Sequence, residues 1–222
     1  MTLTTTSYAI LGHLAMQPWT MYDLAAQMRR NVHYFFPRAE SQVYAEPKRL
    51  VELGLATAVS EATGKRTRTV YAITDAGRAE LKRWLASPVS KGPVLEFEAL
   101  LRVVLAPFGE KEDLAAALTQ AREEIGGIFV LGERICDEYT SGTAPLQRYM
   151  LARSMLHDFL WSFGELVDDW AARSLKRMED WEKQTPVERT AAAVEVYRVR
   201  TRRKRPKLPT PPPHDFHGRP EE

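Results

Sequence analysis

The hydrophobic spacing of the first 90 residues changes from that of helices to that of strands and then back again. Apolar residues three or four positions apart, such as Ile10 and Leu14 or Leu24 and Met28, lie on one face of a helix. Gly54 fits the position just after a helix, where its missing Cβ permits a left-handed turn. Three short helices are therefore predicted, over residues 7–16, 21–30 and about 40–53.

Strand spacing follows Gly54. The segments 55–60 and 67–74 are rich in Val, Thr, Tyr and Ile, and side chains alternate along the second of them. The polar connection 61–66 contains a glycine, as hairpin turns often do. Thr74 can cap a fourth helix over 75–86. Three helices, a two-stranded hairpin and a further helix form a winged helix-turn-helix domain, which is predicted over residues 1–87.

The rest of the chain has helical spacing after a Pro- and Gly-containing linker over 88–94. Helices are predicted over 95–105, about 112–139 and about 146–183. In the last of them, apolar residues recur at intervals of four and three, which is typical of two helices packed along their length. This coiled-coil-like seam predicts a C-terminal helical dimerisation domain over 95–183, and burial of the seam within the monomer is the alternative. The seam consists of Leu156, Leu160, Phe163, Val167 and Trp170. The predicted fold class is mainly α with a small β-hairpin.

Charge is distributed unevenly along the chain, although the net charge is only +2. Residues 1–90 carry a net charge of +4, residues 91–182 carry −7 and residues 183–222 carry +5. Positive ends favour an anionic partner. The tail over 184–222 is predicted to hold a helix over about 186–203 and a Pro-rich, largely disordered end. Seven of the ten residues from Arg198 to Lys207 are basic, so this stretch is predicted either to embrace DNA or to be merely solvated.

Several classes of protein are disfavoured by what the sequence lacks. Cys136 is the only cysteine, which excludes an intrachain disulfide or a zinc finger and fits a cytoplasmic protein. The apolar stretches are far shorter than the roughly 20 residues that span a bilayer, so no membrane partner is expected. Cys136 and His157 could act as nucleophile and base, but no third residue supports them, and a buried structural cysteine is favoured. The sequence predicts no enzyme, no metal site and no cofactor.

The third helix carries side chains that suit DNA. On a helical wheel, Val43, Pro47 and Leu50 group toward the core, and the opposite side collects small, hydroxyl-bearing and cationic residues. Such a helix can enter the major groove, where base edges are read and phosphates are held. A solvated amphipathic helix is the alternative. Pro47 removes one backbone hydrogen bond, which predicts a kink or, failing that, a split helix. The candidate DNA contacts on this helix are Ser41, Gln42, Tyr44, Lys48 and Arg49.

The predicted hairpin tip is crowded with the cations Lys65, Arg66 and Arg68. A positive finger beside a groove-sized helix could reach the minor groove or the phosphates. A charged tip can also serve solubility alone. Because the helix and the tip lie in one domain of net positive charge, together they favour nucleic acid as the partner.

These motifs resemble those of PadR-type bacterial transcriptional regulators. Ser41-Gln42-Val43-Tyr44, followed by Lys48-Arg49-Leu50 and Gly54-Leu55, is similar to their recognition-helix signature. Arg66, Tyr71-Ala72-Ile73-Thr74 and Gly77-Arg78 resemble the wing and the following helix, and residues 7–14 and 22–24 are similar as well. The resemblance covers about residues 5–87. Residues 95–182 more loosely resemble the C-terminal region of the longer, virulence-activator-like members. This chain has Ala45-Glu46-Pro47 where the family has an aromatic residue and then Pro.

The resemblance implies a homodimeric regulator, usually a repressor, that binds double-stranded DNA. A two-fold dimer presents its two recognition helices to an inverted-repeat operator. By the same resemblance, Tyr22, Ser41, Gln42, Tyr44 and Lys48 are groove and phosphate contacts, and Lys65, Arg66 and Arg68 belong to the wing. Some relatives sense phenolic compounds, so a small aromatic effector is expected, in a pocket between the domains formed by Trp19, Phe97, Phe159 and Trp161. The alternative function is a winged helix that binds an acidic protein partner instead of DNA.

Overall fold

The computed structural model describes residues 3–31, 40–63, 66–89, 92–181 and 183–202. The chain divides into two compact units, Met1–Val94 (unit 1) and Leu95–Glu222 (unit 2). Most of the described residues are helical, and a small antiparallel sheet lies in unit 1. This architecture confirms the predicted fold class.

Unit 1 is a group of helices built around a sheet. Its interior is formed by side chains of both the helices and the strands, and Ile10, Leu11, Leu24 and Leu50 are fully buried there. The described elements are α1 (Thr5–Met16), β1 (Trp19–Thr20), α2 (Met21–Asn31), α3 (Glu40–Glu52), β2 (Ala56–Thr63), β3 (Arg66–Ile73) and α4 (Asp75–Leu85).

The ends of these helices follow the local signals in the sequence. The Thr20 hydroxyl accepts a hydrogen bond from the Asp23 N–H (3.2 Å), and the Thr74 hydroxyl accepts one from the Gly77 N–H (3.0 Å). Gly54 has φ +70°, and its N–H donates to the Val51 carbonyl. The N–H of the next residue, Leu55, donates to the Leu50 carbonyl. This pair of bonds satisfies the last carbonyls of α3. The predicted start of α2, end of α3 and start of α4 are therefore confirmed.

The sheet differs from the predicted hairpin in two ways. It has a third strand, because Trp19 and Thr20 pair with Tyr71 and Val70 in the order β1-β3-β2. The hairpin connection is also shorter than the predicted 61–66, because the pairing of β2 with β3 continues to Thr63 opposite Arg66. Antiparallel hydrogen bonding holds these polar residues in strands, although their sequence is typical of a turn.

Pro47 lies inside α3, which runs without interruption from Glu40 to Glu52. The helix is therefore not split. Pro47, Val43 and Leu50 are buried, as the helical wheel predicted, and Lys48 is exposed. Burial of the proline ring compensates part of the cost of the missing N–H.

A polar and aromatic contact ties α1 to α4 within unit 1. The Tyr8 ring stacks on Trp84 (centroids 4.6 Å apart), and its hydroxyl donates to the Glu80 carboxylate at 2.7 Å. Burial and this hydrogen bond raise the pKa of Tyr8 above its usual value of 10.0. The bonds that Glu80 accepts from Tyr8 and Arg83 lower the pKa of Glu80.

The regular secondary structure of unit 2 is entirely helical within its described residues. Its helices are α5 (Glu98–Leu105), α6 (Lys111–Thr140), α7 (Met150–Trp181) and α8 (Pro186–Arg202). The helix predicted from residue 95 begins only at Glu98, and the one predicted from 146 begins at Met150 after a 3₁₀ turn. Gly126 and Gly127 do not interrupt α6. No helix in the described parts of the chain is both long and apolar enough to cross a membrane.

The helices α6 and α7 pack side by side in opposite directions. Contacts between them join Arg122 to Asp168 near one end and Cys136 to His157 near the other. Glycines allow this close approach, because a Cβ on Gly164 would lie 2.8 Å from the ring of Phe129. The buried cluster between the helices comprises Leu114, Leu118, Ala171 and Met178.

Candidate nucleic-acid interface

Four of the predicted DNA contacts line one concave surface of unit 1, named here the basic concavity. Tyr22 is at the start of α2, Tyr44 and Lys48 are on α3, and Arg68 is on β3. Tyr22 is 71% exposed and Tyr44 39%. The structure therefore brings together side chains that are up to 46 residues apart in the sequence.

The cations of the basic concavity are accessible. Lys48 is exposed. Arg68 lies 3.2 Å from the Glu61 carboxylate, but both side chains are about half exposed. Such a solvent-exposed pair contributes little, about 0–1 kcal/mol, so it leaves Arg68 able to exchange partners.

The other predicted contacts are only partly described. Ser41 and Gln42 are in the first turn of α3 and Arg66 begins β3, but the side chains of all three lie outside the described residues, as does Lys65 altogether. Their roles as DNA contacts remain predictions.

Arg49 makes contacts inside unit 1. Its guanidinium donates to the Glu46 carboxylate at 2.6 Å and to the Ser7 hydroxyl at 3.4 Å. The Ser7 hydroxyl itself donates to Glu46 at 2.6 Å. Ser7 is fully buried, and the Arg49 side chain is only 23% exposed.

Strand β1 explains why further residues at this surface were not predicted from the sequence. Thr20, Met21, Thr69 and Tyr71 also line the basic concavity, as does Asp23, whose carboxylate accepts a hydrogen bond from the Thr20 hydroxyl at 2.7 Å. They come together because β1 pairs with β3 immediately before α2 begins, which holds Tyr22 beside β3. A two-residue strand gives no periodic signal in the sequence, so only the pairing reveals it.

The predicted dimer seam of α7 is partly used within the single chain. Val167 is 5% exposed, and Trp170 packs against the cluster of α6 and α7 and against the edge of Phe97. Leu156, Leu160 and Phe163 are half-buried. A neighbouring face of α7 carries more exposed apolar residues, which are Leu151, Met155, Phe159 and Leu166, each 60–75% exposed.

The four aromatic residues predicted to form an effector pocket are divided between the units, with Trp19 in unit 1 and Phe97, Phe159 and Trp161 in unit 2. Phe159 and Trp161 are two positions apart on α7 and so point to nearly opposite faces of the helix. Phe159 is 62% exposed, while Trp161 packs against Phe129. Trp19 is buried in unit 1, where its indole N–H donates to the His13 carbonyl.

Cys136 and His157 are adjacent, as an active-site pair would have to be. The thiol sulfur lies 3.1 Å from the His157 Nε2, and the imidazole packs beside the Trp161 ring. Both residues are part of the contact between α6 and α7 and are half-buried. This arrangement agrees with a structural role for the cysteine.

Unit 1 has the element order and the exposed third helix of winged-helix regulators of transcription, and comparisons with known proteins identify the family. Residues 10–83 match the model of the transcriptional regulator PadR-like family. A probable transcriptional regulator of Mycobacterium tuberculosis is 40% identical over 86 residues, which cover 37% of this chain and 44% of that protein. The negative transcriptional regulator PadR of Bacillus subtilis is 34% identical over 79 residues, covering 35% and 43%. The chain thus spans less than half the length of the curated relatives that it matches.

Solved structures show the same fold over a longer range. Bacillus subtilis PadR in complex with operator DNA has a TM-score of 0.67 at 19% identity, covering 79% of this chain and 99% of that one. The complex of that protein with p-coumaric acid has a TM-score of 0.60 at 17% identity, covering 80% and 99%. Residues 10–83 of the chain thus match the PadR-like family of transcriptional regulators. The curated relatives are regulators of transcription, which agrees with the prediction that the chain is not an enzyme.

Proposed function

We propose that this chain is a sequence-specific DNA-binding regulator of transcription that contacts double-stranded operator DNA through unit 1. The observation that carries the proposal is the basic concavity, where Tyr22, Tyr44, Lys48 and Arg68 converge from three elements. The match of residues 10–83 to the PadR-like family model supports it, as does the similar protein that was crystallised with its operator.

The proposed binding mode gives each element of unit 1 a part. The first turn of α3, with Ser41 and Gln42, enters the major groove and reads base edges, since that is the part of a recognition helix that reaches the bases. Lys48 and Arg68 hold phosphates on the sides of the groove, and Tyr22 adds a contact from the start of α2. Lys65 and Arg66 extend the contact from the wing.

The proposed regulator is a homodimer that acts as a repressor at an inverted-repeat operator. A second copy would cover the apolar face of α7 formed by Leu151, Met155, Phe159 and Leu166, together with the half-buried seam residues beside it. Each large side chain that becomes fully buried contributes about 1.5–3 kcal/mol. The relative from Bacillus subtilis is a negative regulator, which supports repression.

A small aromatic acid is proposed as the effector that releases the DNA. Phe97, Arg102 and Gln120 line a cavity in unit 2 together with the carboxylates of Glu98 and Glu124. A ring could stack on Phe97, and the carboxylate of the ligand could replace Glu98 as the partner of Arg102, because that ion pair is solvent-exposed and contributes little. The relative crystallised with p-coumaric acid supports this ligand class. Titration calorimetry with p-coumaric acid should give a saturable heat that Arg102→Ala abolishes. Equal heats for the two proteins would refute this site.

The DNA proposal is tested by fluorescence anisotropy with a duplex from the promoter of the chain's own coding region and a scrambled duplex of equal length. Lys48→Ala should reduce the slope of log affinity against log salt by about 0.9, because one phosphate contact is lost. Lys82→Ala is the matched control, since Lys82 is an exposed cation on α4 outside the basic concavity. The proposal is wrong if the unmodified protein ignores both duplexes at low ionic strength. Binding to an acidic protein instead would identify the alternative function.

The dimer proposal is tested by light scattering of two variants. Met155→Asp with Phe159→Asp places two charges on an exposed face and should give a folded monomer. Ser154→Asp is the control, since Ser154 is an exposed residue of α7 that lies on a different side of the helix from the apolar face. If the Met155→Asp, Phe159→Asp variant stays dimeric, the dimer interface is not on this apolar face.

A further inference from the structure

The network of Ser7, Glu46 and Arg49 sits where α1 meets the recognition helix α3. The Ser7 hydroxyl and the Arg49 guanidinium both donate to the same oxygen of Glu46, each at 2.6 Å. Glu46 is 14% exposed and Arg49 23%, which is far less than the ion pairs on the surface of the chain. The network is thus a largely desolvated ion pair that is anchored to another element.

Ser7 connects this network to the start of α1. Its hydroxyl accepts a hydrogen bond from the Thr4 N–H at 2.8 Å, and its own N–H donates to the Thr4 hydroxyl in a reciprocal cap. One fully buried hydroxyl therefore links the first turn of α1 to the middle of α3, 39 residues away. Side chains with this many fixed partners hold one orientation.

The network also spans the weakest point of α3. Pro47 has no N–H, so the turn that contains it lacks one backbone hydrogen bond. Glu46 and Arg49 flank Pro47, and their ion pair closes the same turn through side chains. Lys48, which lines the basic concavity, lies between the two residues of this pair.

We propose that Arg49 is a positioning residue that fixes α3 against α1 through Glu46 and Ser7, and that it does not hold a DNA phosphate. This inference rests on the proposed function of unit 1. It changes the role predicted for Arg49 from its charge, because two neighbouring cations of α3 now have different tasks: Lys48 contacts the DNA and Arg49 sets the position from which Lys48 does so.

A double-mutant cycle in DNA binding separates the two roles. The variants are Arg49→Met, Glu46→Gln and their combination, measured by anisotropy over a range of salt concentrations. Arg49→Met alone should weaken DNA binding by about tenfold or more, since misplacing α3 needs to cost only about 1.4 kcal/mol of binding free energy to have that effect. Its salt slope should equal that of the unmodified protein. In the Glu46→Gln background the same substitution should cost little, because no buried carboxylate is left unpaired.

Lys48→Met is the matched control in both backgrounds. It should lower the salt slope by about 0.9 and cost the same affinity with or without the Glu46 charge, because a phosphate contact does not depend on Glu46. Ser7→Ala should behave like Arg49→Met, with weaker binding and an unchanged slope. If Arg49→Met does not fold by circular dichroism, Ser7→Ala and Glu46→Gln carry the same test.

Two results would overturn the inference while leaving the proposed function intact. In the first, Arg49→Met lowers the salt slope by about 0.9 and weakens DNA binding just as much in the Glu46→Gln background, which would make Arg49 a phosphate contact. The other is unchanged affinity in Arg49→Met and Ser7→Ala, which would leave the network without a role in binding. Failure of the proposed function is distinguishable, because then the unmodified protein would not bind the duplex at all.

Discussion

Gly77 permits the closest approach between α4 and the turn that follows α3, and replacing it with alanine should loosen unit 1. A Cβ at this position would lie 2.1 Å from the Leu55 carbonyl oxygen and 2.8 Å from Cγ1 of Ile73. Ordinary contacts begin at 3.4 Å, so the two segments would have to separate by about 1.3 Å. A backbone carbonyl cannot rotate away as a flexible side chain can.

The cost of Gly77→Ala follows from these contacts. Overpacking by one methyl group costs about 1–3 kcal/mol, and the strained hydrogen bond from the Thr74 N–H to the Leu55 carbonyl adds about 1 kcal/mol. The better helix propensity of alanine returns up to about 1 kcal/mol. A net loss of about 1–4 kcal/mol is expected, which corresponds to about a 5- to 700-fold change in the unfolding equilibrium.

Native-state hydrogen exchange of the full chain measures this loss within unit 1. Amides of α1 and β3 should exchange faster by the stated factor, while those of α6 and α7 serve as an internal reference. Gly12→Ala is the control, because a Cβ on Gly12 in α1 meets nothing within 4 Å. That variant should gain about 0.5–1 kcal/mol. Exchange in Gly77→Ala as slow as in the unmodified protein would refute the reasoning from this contact.

Three further predictions concern both units. Because the pKa of Tyr8 is raised on folding, its neutral form stabilises the fold fully below pH 10.0, and this stabilisation is lost as the pH rises through the folded pKa. The urea midpoint should therefore fall less steeply above pH 10.0 in Tyr8→Phe than in the unmodified protein, and parallel curves for the two would contradict the burial of this hydroxyl. Leu118→Ala should lower the free energy of unfolding of unit 2 by about 2–5 kcal/mol, since Leu118 is 1% exposed in the cluster between α6 and α7. A loss below about 1 kcal/mol, measured by calorimetry, would argue against that core. Arg122→Ala, one turn further along α6, should lower the free energy of unfolding by less than about 1 kcal/mol, because both side chains of its pair with Asp168 are about 40% exposed. A larger loss than that of Leu118→Ala would show that this ion pair stabilises unit 2 more than apolar burial does.

Local signals were sufficient for the secondary structure of unit 1. Thr20, Gly54 and Thr74 mark helix ends because the hydrogen bonds formed there join residues three to five positions apart along the chain. The buried face of α3 was likewise predicted, since residues three and four apart must share a face whatever packs against them. The PadR-like motifs gave the family for the same reason, because they are short and continuous in sequence.

The candidate site required tertiary structure. Strand β1 exists only because Trp19 and Thr20 meet Tyr71 and Val70, some 50 residues later, and this pairing brings α2 to the basic concavity. The partner of Arg49 on α1 is 42 residues away, so its charge alone predicted a different role. The seam of α7 was readable as an apolar stripe, but whether α6 or another helix covers it depends on packing.

The amino-acid sequence by itself thus determined where helices and strands begin and end, which face of each is apolar, and which family the chain resembles. These properties depend on backbone geometry and on neighbours within about two helical turns. Tertiary structure decided which cations are exposed to an anionic partner and which are held by a carboxylate in a largely buried pair. The physical reason is that a charge acquires its partner through space, and the contact that neutralises it can come from any part of the chain that folding brings near.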